Sequence, residues 1–273
     1  MALTPLQRDI CRLLAEQRIA SGESYVAGGA ALNELLAAPR ISRDLDLFHD
    51  TVAALAATWE ADRRVLLANG FSVQVVRERP TFVEAEVGGG PDRTLLQWVQ
   101  DSAYRFFPLI RREPFGLTLH PFDLATNKVL ALVGRVEVRD FIDVLESSER
   151  VQPLGYLAWA ACGKDPGYSP AAILEHAARS VRYSAAEIGS LDFEGPPPDA
   201  AVLARRWRSL LEDARSVVAA LPPDMAGRCV LHRDGTLYRA GAGELEPNLN
   251  QGRVAFHQGS IRGALPDLMA NGR

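Results

Sequence analysis

The stretch AGGAALNELLAAPRISRDLDLF, residues 27–48, constrains the fold of this chain more than any other part of the sequence. The apolar residues before it indicate a short strand that runs directly into Gly28 and Gly29. A helix is predicted over 30–38, and residues 44–48 alternate polar and apolar side chains as a half-buried strand does. A strand, a glycine turn, a helix and a second strand, in this order, predict a compact α/β unit.

The glycine pair and the Asp-Leu-Asp strand together favour a site for a metal ion and a phosphate. Without Cβ atoms at Gly28 and Gly29, the backbone can approach an anion closely. The helix that follows offers free N–H groups and the positive end of its dipole. Asp44 and Asp46 lie two residues apart on a strand, so both carboxylates project from one face. We predict that they bind Mg²⁺ or Mn²⁺, and that the phosphates of a nucleoside triphosphate (NTP) supply further ligands.

Each motif taken singly has a plainer explanation. A lone Gly-Gly pair is usually only a turn, and Asp-Leu-Asp is common on exposed strand faces. The sequence contains neither the G-x-G-x-x-G fingerprint of dinucleotide-binding proteins nor the G-K-[ST] of a Walker A loop in this region. Ser42, just before the second strand, either donates to a phosphate or stabilises the turn. The specificity of the prediction therefore comes from the combination and its order.

The same residues resemble a known family. A Gly-Gly loop followed by Asp-x-Asp is similar to the pattern of the polymerase-β-like nucleotidyltransferase superfamily. The stretch resembles the AbiEii-like group, known from abortive-infection and toxin–antitoxin pairs, in its Gly-Gly-x-Ala-Leu start (28–32) and in its Arg-x-Ser-x-Asp-Leu-Asp-Leu-Phe end (40–48). The resemblance implies transfer of a nucleoside monophosphate from an NTP to an acceptor hydroxyl.

A second block, residues 120–145, resembles the Lys-x-x-Ala-Leu-x-x-Arg and Arg-Asp-x-x-Asp segment of the family. On a helix, Lys128 and Arg135 share a face, where Lys128 is expected to reach nucleotide phosphates and Arg135 to strengthen that clamp. Asp140 is expected to orient Lys128 or an arginine, or to help with proton transfer. An ordinary solvated helix face with ion pairs is the plain alternative. The predicted catalytic residues are Asp44, Asp46, Lys128 and Asp140, and the predicted nucleotide-binding residues are Gly28, Gly29, Ser42, Lys128 and Arg135.

The sequence departs from the superfamily pattern at the third carboxylate, which is expected between apolar residues on a later strand. The best-placed strand, 95–99, has Gln97 instead. Asp101 follows four residues later, and Glu84 and Glu86 share a face of the preceding strand. Loss of the third carboxylate would weaken deprotonation of the attacking hydroxyl. A fold retained only for binding a nucleotide or a partner is therefore an alternative function.

Other polar groups near these motifs have a structural and a functional interpretation. His49 follows the Asp-Leu-Asp strand and is close enough in sequence to line the site. His120 precedes a predicted helix and is more often structural than a catalytic base. The run 101–108 mixes an arginine with aromatic residues, which either stack on a base or join the core. None of the five histidines has metal-binding spacing.

The remaining pattern predicts an α+β fold with an α/β core. A helix over 51–69 carries an apolar stripe that Asp62 interrupts, so its middle is expected to be only partly covered; the stripe consists of Val52, Leu55, Ala56, Trp59 and Leu66. Three strand-like runs follow at 71–76, 81–87 and 94–99. From residue 121 the chain becomes mostly helical, with Asp123 as a helix cap. Two β-hairpins are predicted near the C-terminus, over 229–239 and 254–261.

We predict two domains within the 273 residues. Residues 1–118 form a nucleotidyltransferase core with a mixed sheet flanked by helices, and residues 119–273 form a mainly helical domain that completes the cleft and ends in the hairpins. The formal net charge of −4 indicates no global basic field. No run approaches about 18 apolar residues, and the N-terminus lacks a signal-peptide pattern. A cytoplasmic protein without membrane contact is expected.

The resemblance also implies partners. The expected acceptor is RNA, especially a tRNA end, or a protein hydroxyl, and an antitoxin protein encoded nearby is an expected partner. A small-molecule nucleotidyltransferase of the antibiotic-modifying kind is the alternative enzyme. A non-catalytic binding protein is the alternative outside enzymes, and Gln97 favours it.

Overall fold

The computed structural model describes residues 2–179 and 183–267. The chain divides into two compact units. The first unit consists of Met1–Ala103, Leu109–His120 and Asp192–Gly195. The second unit consists of Tyr104–Pro108, Pro121–Leu191 and Pro196–Arg273.

The helices and strands are named in chain order. As far as residue 120 they are α1 (Pro5–Ser21), β1 (Tyr25–Ala27), α2 (Gly28–Leu36), β2 (Asp44–His49), α3 (Val52–Ala68), β3 (Ser72–Arg79), β4 (Phe82–Gly89), β5 (Asp92–Gln100), β6 (Tyr104–Arg105), β7 (Ile110–Arg112) and β8 (Gly116–Thr118). Beyond it they are α4 (Pro121–Arg135), α5 (Val138–Arg150), α6 (Leu154–Ala161), α7 (Pro170–Ala177), α8 (Ala185–Gly189), α9 (Ala200–Ala220), a short 3-10 helix (Pro223–Met225), β9 (Cys229–His232), α10 (Ala242–Asn250), β10 (Val254–His257) and β11 (Ser260–Ile261).

The first unit is built around a seven-stranded sheet with the strand order β3-β4-β5-β2-β1-β8-β7. The strand β2 runs parallel to β5 and antiparallel to β1, so the sheet is mixed. The strand β2 is hydrogen-bonded to β1 on one side and to β5 on the other, and it is therefore an interior strand. The predicted mixed sheet flanked by helices is confirmed.

The helix α2 begins earlier than the sequence predicts. It starts at Gly28 rather than at residue 30, and it ends at Leu36. Ala37 ends the helix by adopting a left-handed conformation with φ 49°, and its N–H bonds to the carbonyls of Asn33 and Glu34. The glycine pair is thus the first turn of the helix itself, which brings its free N–H groups directly to the end of β1.

The burial of α3 differs from the predicted stripe. Val52 and Ala56 are exposed, whereas Asp62 is buried. The expectation that Asp62 leaves the middle of the helix partly covered was wrong, because its carboxylate accepts a hydrogen bond from the indole Nε1 of Trp98 at 2.9 Å. A buried polar group is tolerated when it has such a partner.

The second unit is mainly helical and has its own apolar core. Eight buried residues share this core: Tyr156, Trp159, Val217, Leu221, Val230, Tyr238, Leu245 and Val254. No helix in residues 2–179 and 183–267 is both long and apolar enough to cross a membrane.

The two predicted C-terminal hairpins have different outcomes. The first turn forms at Asp234-Gly235, with backbone hydrogen bonds from His232 to Thr236 at 2.8 Å and from Tyr238 to Val230 at 3.1 Å, although β9 finds its strand partner in β10. The strand β11 pairs with β6 instead of turning back on β10. Gly259 permits this pairing, because a Cβ atom there would lie 2.6 Å from the Tyr104 ring. A long-range partner thus replaces the second predicted hairpin, whereas the Asp-Gly turn of the first is retained.

Candidate functional site

The central strand β2 carries both aspartates on one face. Asp44, Asp46 and Phe48 are half-buried, whereas the residues between them, Leu45 and Leu47, are buried. This alternation means that the carboxylates of Asp44 and Asp46 lie on the same side of the sheet.

His49 lies on the opposite side of the sheet from the two aspartates. It is fully buried, and its Nδ1 lies 3.3 Å from the carbonyl oxygen of Val99. Burial lowers the pKa of His49 to about 4, so the ring is neutral at pH 7. His49 therefore does not line the face that carries Asp44 and Asp46, contrary to the possibility raised by its place in the sequence.

Gly28 lies directly against the carboxylate of Asp46. It has φ +67°, and a Cβ atom at this residue would overlap Oδ2 of Asp46. The neighbouring residue Ala27 is paired with Asp46 across the β1–β2 ladder. Glycine is thus required both by the left-handed backbone and by space. The contact brings the Asp46 carboxylate to the N-terminus of α2, where the helix dipole stabilises negative charge.

Gly29 lies against two further polar side chains. A Cβ atom there would contact the guanidinium of Arg40 and would lie 3.2 Å from Oγ of Ser42. Ser42 in turn donates from Oγ to Oδ1 of Asp44 at 2.8 Å. We call this group the glycine–aspartate cluster, and its members are Gly28, Gly29, Arg40, Ser42, Asp44 and Asp46.

Arg40 is the member of the cluster that the predicted site residues omit. Arg40 is only 4% exposed. The signal was present in the sequence, because Arg40 is the arginine of the Arg-x-Ser-x-Asp pattern. Its place beside Gly29 adds a positive charge to the N-terminus of α2.

A short returning segment holds the loop that carries Arg40 and Ser42. The N–H of Ile41 donates to the carbonyl of Asp192 at 2.9 Å, and the N–H of Glu194 donates to the carbonyl of Pro39 at 2.7 Å. Both partners come from residues 192–195, which belong to the first unit. The loop is therefore fixed by backbone hydrogen bonds at both ends.

Gln97 occupies the place beside Asp46 on the next strand. The register pairs Asp46 with Gln97, and Gln97 with Glu84 on β4. The amide Nε2 of Gln97 donates to Oε2 of Glu84 at 2.8 Å. The row across the sheet is thus carboxylate, amide, carboxylate. Of the carboxylates considered as substitutes, Glu84 is bonded to Gln97, whereas Glu86 pairs with Leu95.

The donor set of the cluster fits magnesium when a substrate supplies further oxygens. Within the described ranges, no three carboxylate, histidine or cysteine side chains gather into a complete metal site. Magnesium commonly binds through one or two protein carboxylates and completes its shell with water and phosphate oxygens. Asp44 and Asp46 meet that requirement.

In the second unit, Lys128 is buried between two aspartates. Its Nζ lies 3.0 Å from Oδ1 of Asp140 and 2.8 Å from Oδ2 of Asp143. Arg135 donates to Asp140 from Nε at 2.6 Å and from Nη2 at 2.9 Å. Two cations and two anions therefore form one network, which we call the Lys128 network.

Asp140 bonds to both cations of the Lys128 network. Burial raises the pKa of its carboxyl, but the hydrogen bonds from Arg135 and the charge of Lys128 outweigh it, so the pKa lies below the ordinary value. The ionised carboxylate orients both cations, which is one of the two roles considered from the sequence. The structure thus brings together the predicted residues of the first unit around Gly28, and those of the second unit around Asp140.

The run 101–108 places its aromatic residues in the core. Phe106 is fully buried, and its ring packs edge-on against Phe122 with 5.2 Å between centroids. Asp123, predicted as a helix cap, instead lies inside α4 and accepts from the N–H groups of Phe106 at 2.8 Å and Phe107 at 3.0 Å. Phe106 and Phe107 therefore join the core, as the structural interpretation of this run predicts.

We expect Gly28→Ala to destabilise the fold more than Gly22→Ala does. Both glycines have φ +67°, so an alanine costs about 1–2 kcal/mol in backbone strain at either position. At Gly22 a Cβ atom meets nothing within 4 Å, whereas at Gly28 it displaces the Asp46 carboxylate. Urea denaturation of both variants measures the difference. Equal losses of stability would contradict the close approach of Asp46 to Gly28.

Comparison with known proteins supports the fold. No protein-family model and no curated protein matches this chain. The solved structure of JHP933 from Helicobacter pylori is similar with a TM-score of 0.47 and 14% identity, over 80% of this chain and 95% of that one. The nucleotidyltransferase toxin MenT4 of Mycobacterium tuberculosis H37Rv is similar with a TM-score of 0.50 and 14% identity, over 80% of this chain and 84% of that one. The likeness to MenT4 supports a nucleotidyltransferase fold for this chain.

Proposed function

We propose that this chain is a metal-dependent nucleotidyltransferase, which moves a nucleoside monophosphate from an NTP to an acceptor hydroxyl and releases pyrophosphate. One observation carries the proposal. Asp44 and Asp46 share a face of β2, and the Asp46 carboxylate lies against Gly28 at the N-terminus of α2. A pair of carboxylates for a divalent cation thus adjoins a helix end that attracts phosphate.

The proposal assigns a role to each member of the glycine–aspartate cluster. Asp44 and Asp46 would hold Mg²⁺ or Mn²⁺, which when bound supplies a positive charge for the phosphates. The N–H groups at the start of α2 bind phosphate oxygens. Ser42 fixes the Asp44 carboxylate by a hydrogen bond from its hydroxyl. The positive charge of Arg40 attracts the phosphate that binds beside Gly29.

The Lys128 network is neutral as a whole, because its two cations face two anions. The motif resemblance is the basis for proposing Lys128 and Arg135 as nucleotide-binding residues. Asp140 acts as a positioning residue, because it bonds to both cations. The geometry around Asp140 supports these roles by fixing the two side chains relative to each other.

The proposed acceptor is RNA, with a tRNA end preferred, or a protein hydroxyl. The motif likeness to the AbiEii-like group supports this choice. We further propose that the protein acts in the cytoplasm as the toxin of a toxin–antitoxin pair, with an antitoxin protein as its partner.

The test is transfer of label from each radioactive NTP to total cellular RNA or protein, with Mg²⁺ and with EDTA. The full chain is expected to label one acceptor class only with Mg²⁺. Asp46→Asn, which keeps the shape of the side chain but removes its charge, is expected to lower the rate about a hundredfold or more. Asp92→Asn, at an exposed position, should leave the rate unchanged. Equal rates for Asp46→Asn and the wild type would contradict the proposal.

A binding protein is the second candidate, and the Gln97–Glu84 hydrogen bond favours it, because the place beside Asp46 holds an amide. Calorimetric titration with NTP separates the candidates. Mg²⁺-dependent NTP binding that disappears in Asp44→Ala and Asp46→Ala would support catalysis, whereas unchanged binding in these variants would support the binding protein.

A further inference from the structure

Gln97 lies beside Asp46 on the same face of the sheet. The register pairs the two residues across β2 and β5. Gln97 is half-buried, whereas its neighbours Leu96 and Trp98 are buried on the other face. Adjacent strands are about 4.8 Å apart, so the Gln97 amide is within side-chain reach of a group that meets the Asp46 carboxylate. The proposed function leaves this amide without a role in the reaction.

Glu84 fixes which way the amide of Gln97 is turned. The Gln97 Nε2 donates to Oε2 of Glu84 at 2.8 Å. A carboxylate only accepts hydrogen bonds, and an amide carries its donor nitrogen and its acceptor oxygen on separate branches. The opposite orientation of the amide would bring two acceptors together. The nitrogen is therefore held toward β4, and the acceptor oxygen Oε1 is on the branch that Glu84 does not hold.

An amide oxygen at this place suits an attacking hydroxyl. A hydroxyl has one proton to donate and lone pairs on its oxygen. When the proton is donated to Oε1 of Gln97, a lone pair is left to face the α-phosphorus of the NTP, and orientation of this kind accelerates a reaction. A neutral amide does not take up the proton at pH 7, in contrast to the carboxylate that the superfamily pattern expects on this strand.

We propose that Gln97 binds the acceptor: its Oε1 accepts a hydrogen bond from the attacking hydroxyl, and Glu84 is the positioning residue that holds the amide in this orientation. The inference rests on the proposed function. In the transfer step the acceptor oxygen forms a bond to the α-phosphorus, the bond from that phosphorus to the pyrophosphate oxygen breaks, and the hydroxyl proton passes to solvent water.

Gln97→Met tests the role of the amide, because methionine has a similar length but no amide oxygen. In the label-transfer assay with Mg²⁺, NTP and total cellular RNA or protein, the variant is expected to be about tenfold slower than the wild type, since one hydrogen bond to the acceptor is lost. Its calorimetric affinity for NTP in the presence of Mg²⁺ is expected to be unchanged. Gln100→Met is the matched control, because Gln100 pairs with the buried His49 on the opposite face, and it should transfer label like the wild type.

Exchanging the two residues of the pair tests whether the acceptor group itself matters. The double variant Glu84→Gln with Gln97→Glu keeps the net charge and lets the amide donate to the carboxylate across the same two strands. The carboxylate is then beside Asp46 and can accept from the hydroxyl, so we expect faster label transfer than in Gln97→Met. A double variant as slow as Gln97→Met would overturn the acceptor-binding role.

The orientation of the amide can be measured without metal or nucleotide. The side-chain N–H signals of Gln97 in an NMR spectrum of the full chain are identified by their absence in Gln97→Met. They are expected to shift in Glu84→Ala, because the hydrogen bond that HN donates there is lost. Unchanged signals would overturn the positioning role of Glu84.

The inference and the proposed function fail in different ways. The absence of label transfer by the wild type would overturn the proposed function and this inference with it. Equal rates for the wild type and Gln97→Met would overturn only the role of Gln97. A loss of NTP affinity in Gln97→Met that matches its loss of rate would also overturn that role, because Gln97 would then serve the nucleotide. If Gln97→Met does not fold, Gln97→Ala takes its place in each comparison.

Discussion

Replacing Lys128 with methionine is expected to lower the free energy of unfolding by about 3–5 kcal/mol at pH 7. The ammonium group lies within 3.0 Å of both Asp140 and Asp143, and neither carboxylate side chain is exposed. Methionine keeps most of the side-chain volume but provides no charge. The two buried anions then lose the cation that they share, while Arg135 still bonds to Asp140.

Urea denaturation of Lys128→Met, followed by circular dichroism, measures this loss. The double variant Lys128→Met with Asp143→Asn is the control, because it removes one of the two anions together with the cation. We expect the double variant to regain part of the lost stability. A loss below about 1 kcal/mol in the single variant would mean that Lys128 contributes little to the buried network.

Asp62→Asn is expected to gain stability relative to the wild type as the pH rises. The pKa of Asp62 is about 6 in the folded protein, above its ordinary value of 3.8, mainly because the carboxyl is buried. Between these two values the folded protein holds a proton that the unfolded chain releases, so wild-type stability falls as the pH rises through this window. The asparagine amide oxygen does not titrate, and it can accept the hydrogen bond from Trp98.

The difference in unfolding free energy between Asp62→Asn and the wild type should therefore grow by roughly 2 kcal/mol between pH 4 and pH 7. Urea denaturation at several pH values measures it, and Asp92→Asn, an exposed aspartate, serves as the control. A difference that does not change with pH would show that burial does not raise the pKa of Asp62.

The local part of the site could be predicted from the sequence. The spacing of Asp44 and Asp46 places them on one strand face, because side chains alternate along any strand. The glycine pair predicts a close approach of backbone and anion, although its partner in the structure is the Asp46 carboxylate. These features depend on neighbours in the chain, which a sequence pattern records directly.

Features that depend on distant residues could not be predicted in this way. The sequence predicts that Asp123 caps a helix, because aspartates often precede helices. In the structure its carboxylate is buried and contacts Phe106, Phe107 and Lys164. The Asp-Gly pair before Thr236 suggests a hairpin, yet β9 finds its main partner in β10. Packing decided these cases, and a local pattern contains no information about which distant segment packs.

The returning segment 192–195 has a consequence for how the protein is made. On the ribosome, residues 39–42 emerge long before Asp192, whose carbonyl accepts from Ile41, and before Glu194, which donates to Pro39. A nascent chain that has emerged only as far as residue 120 lacks both bonds. The loop that carries Ser42 is therefore anchored late in translation, and a prematurely terminated product cannot anchor it in this way.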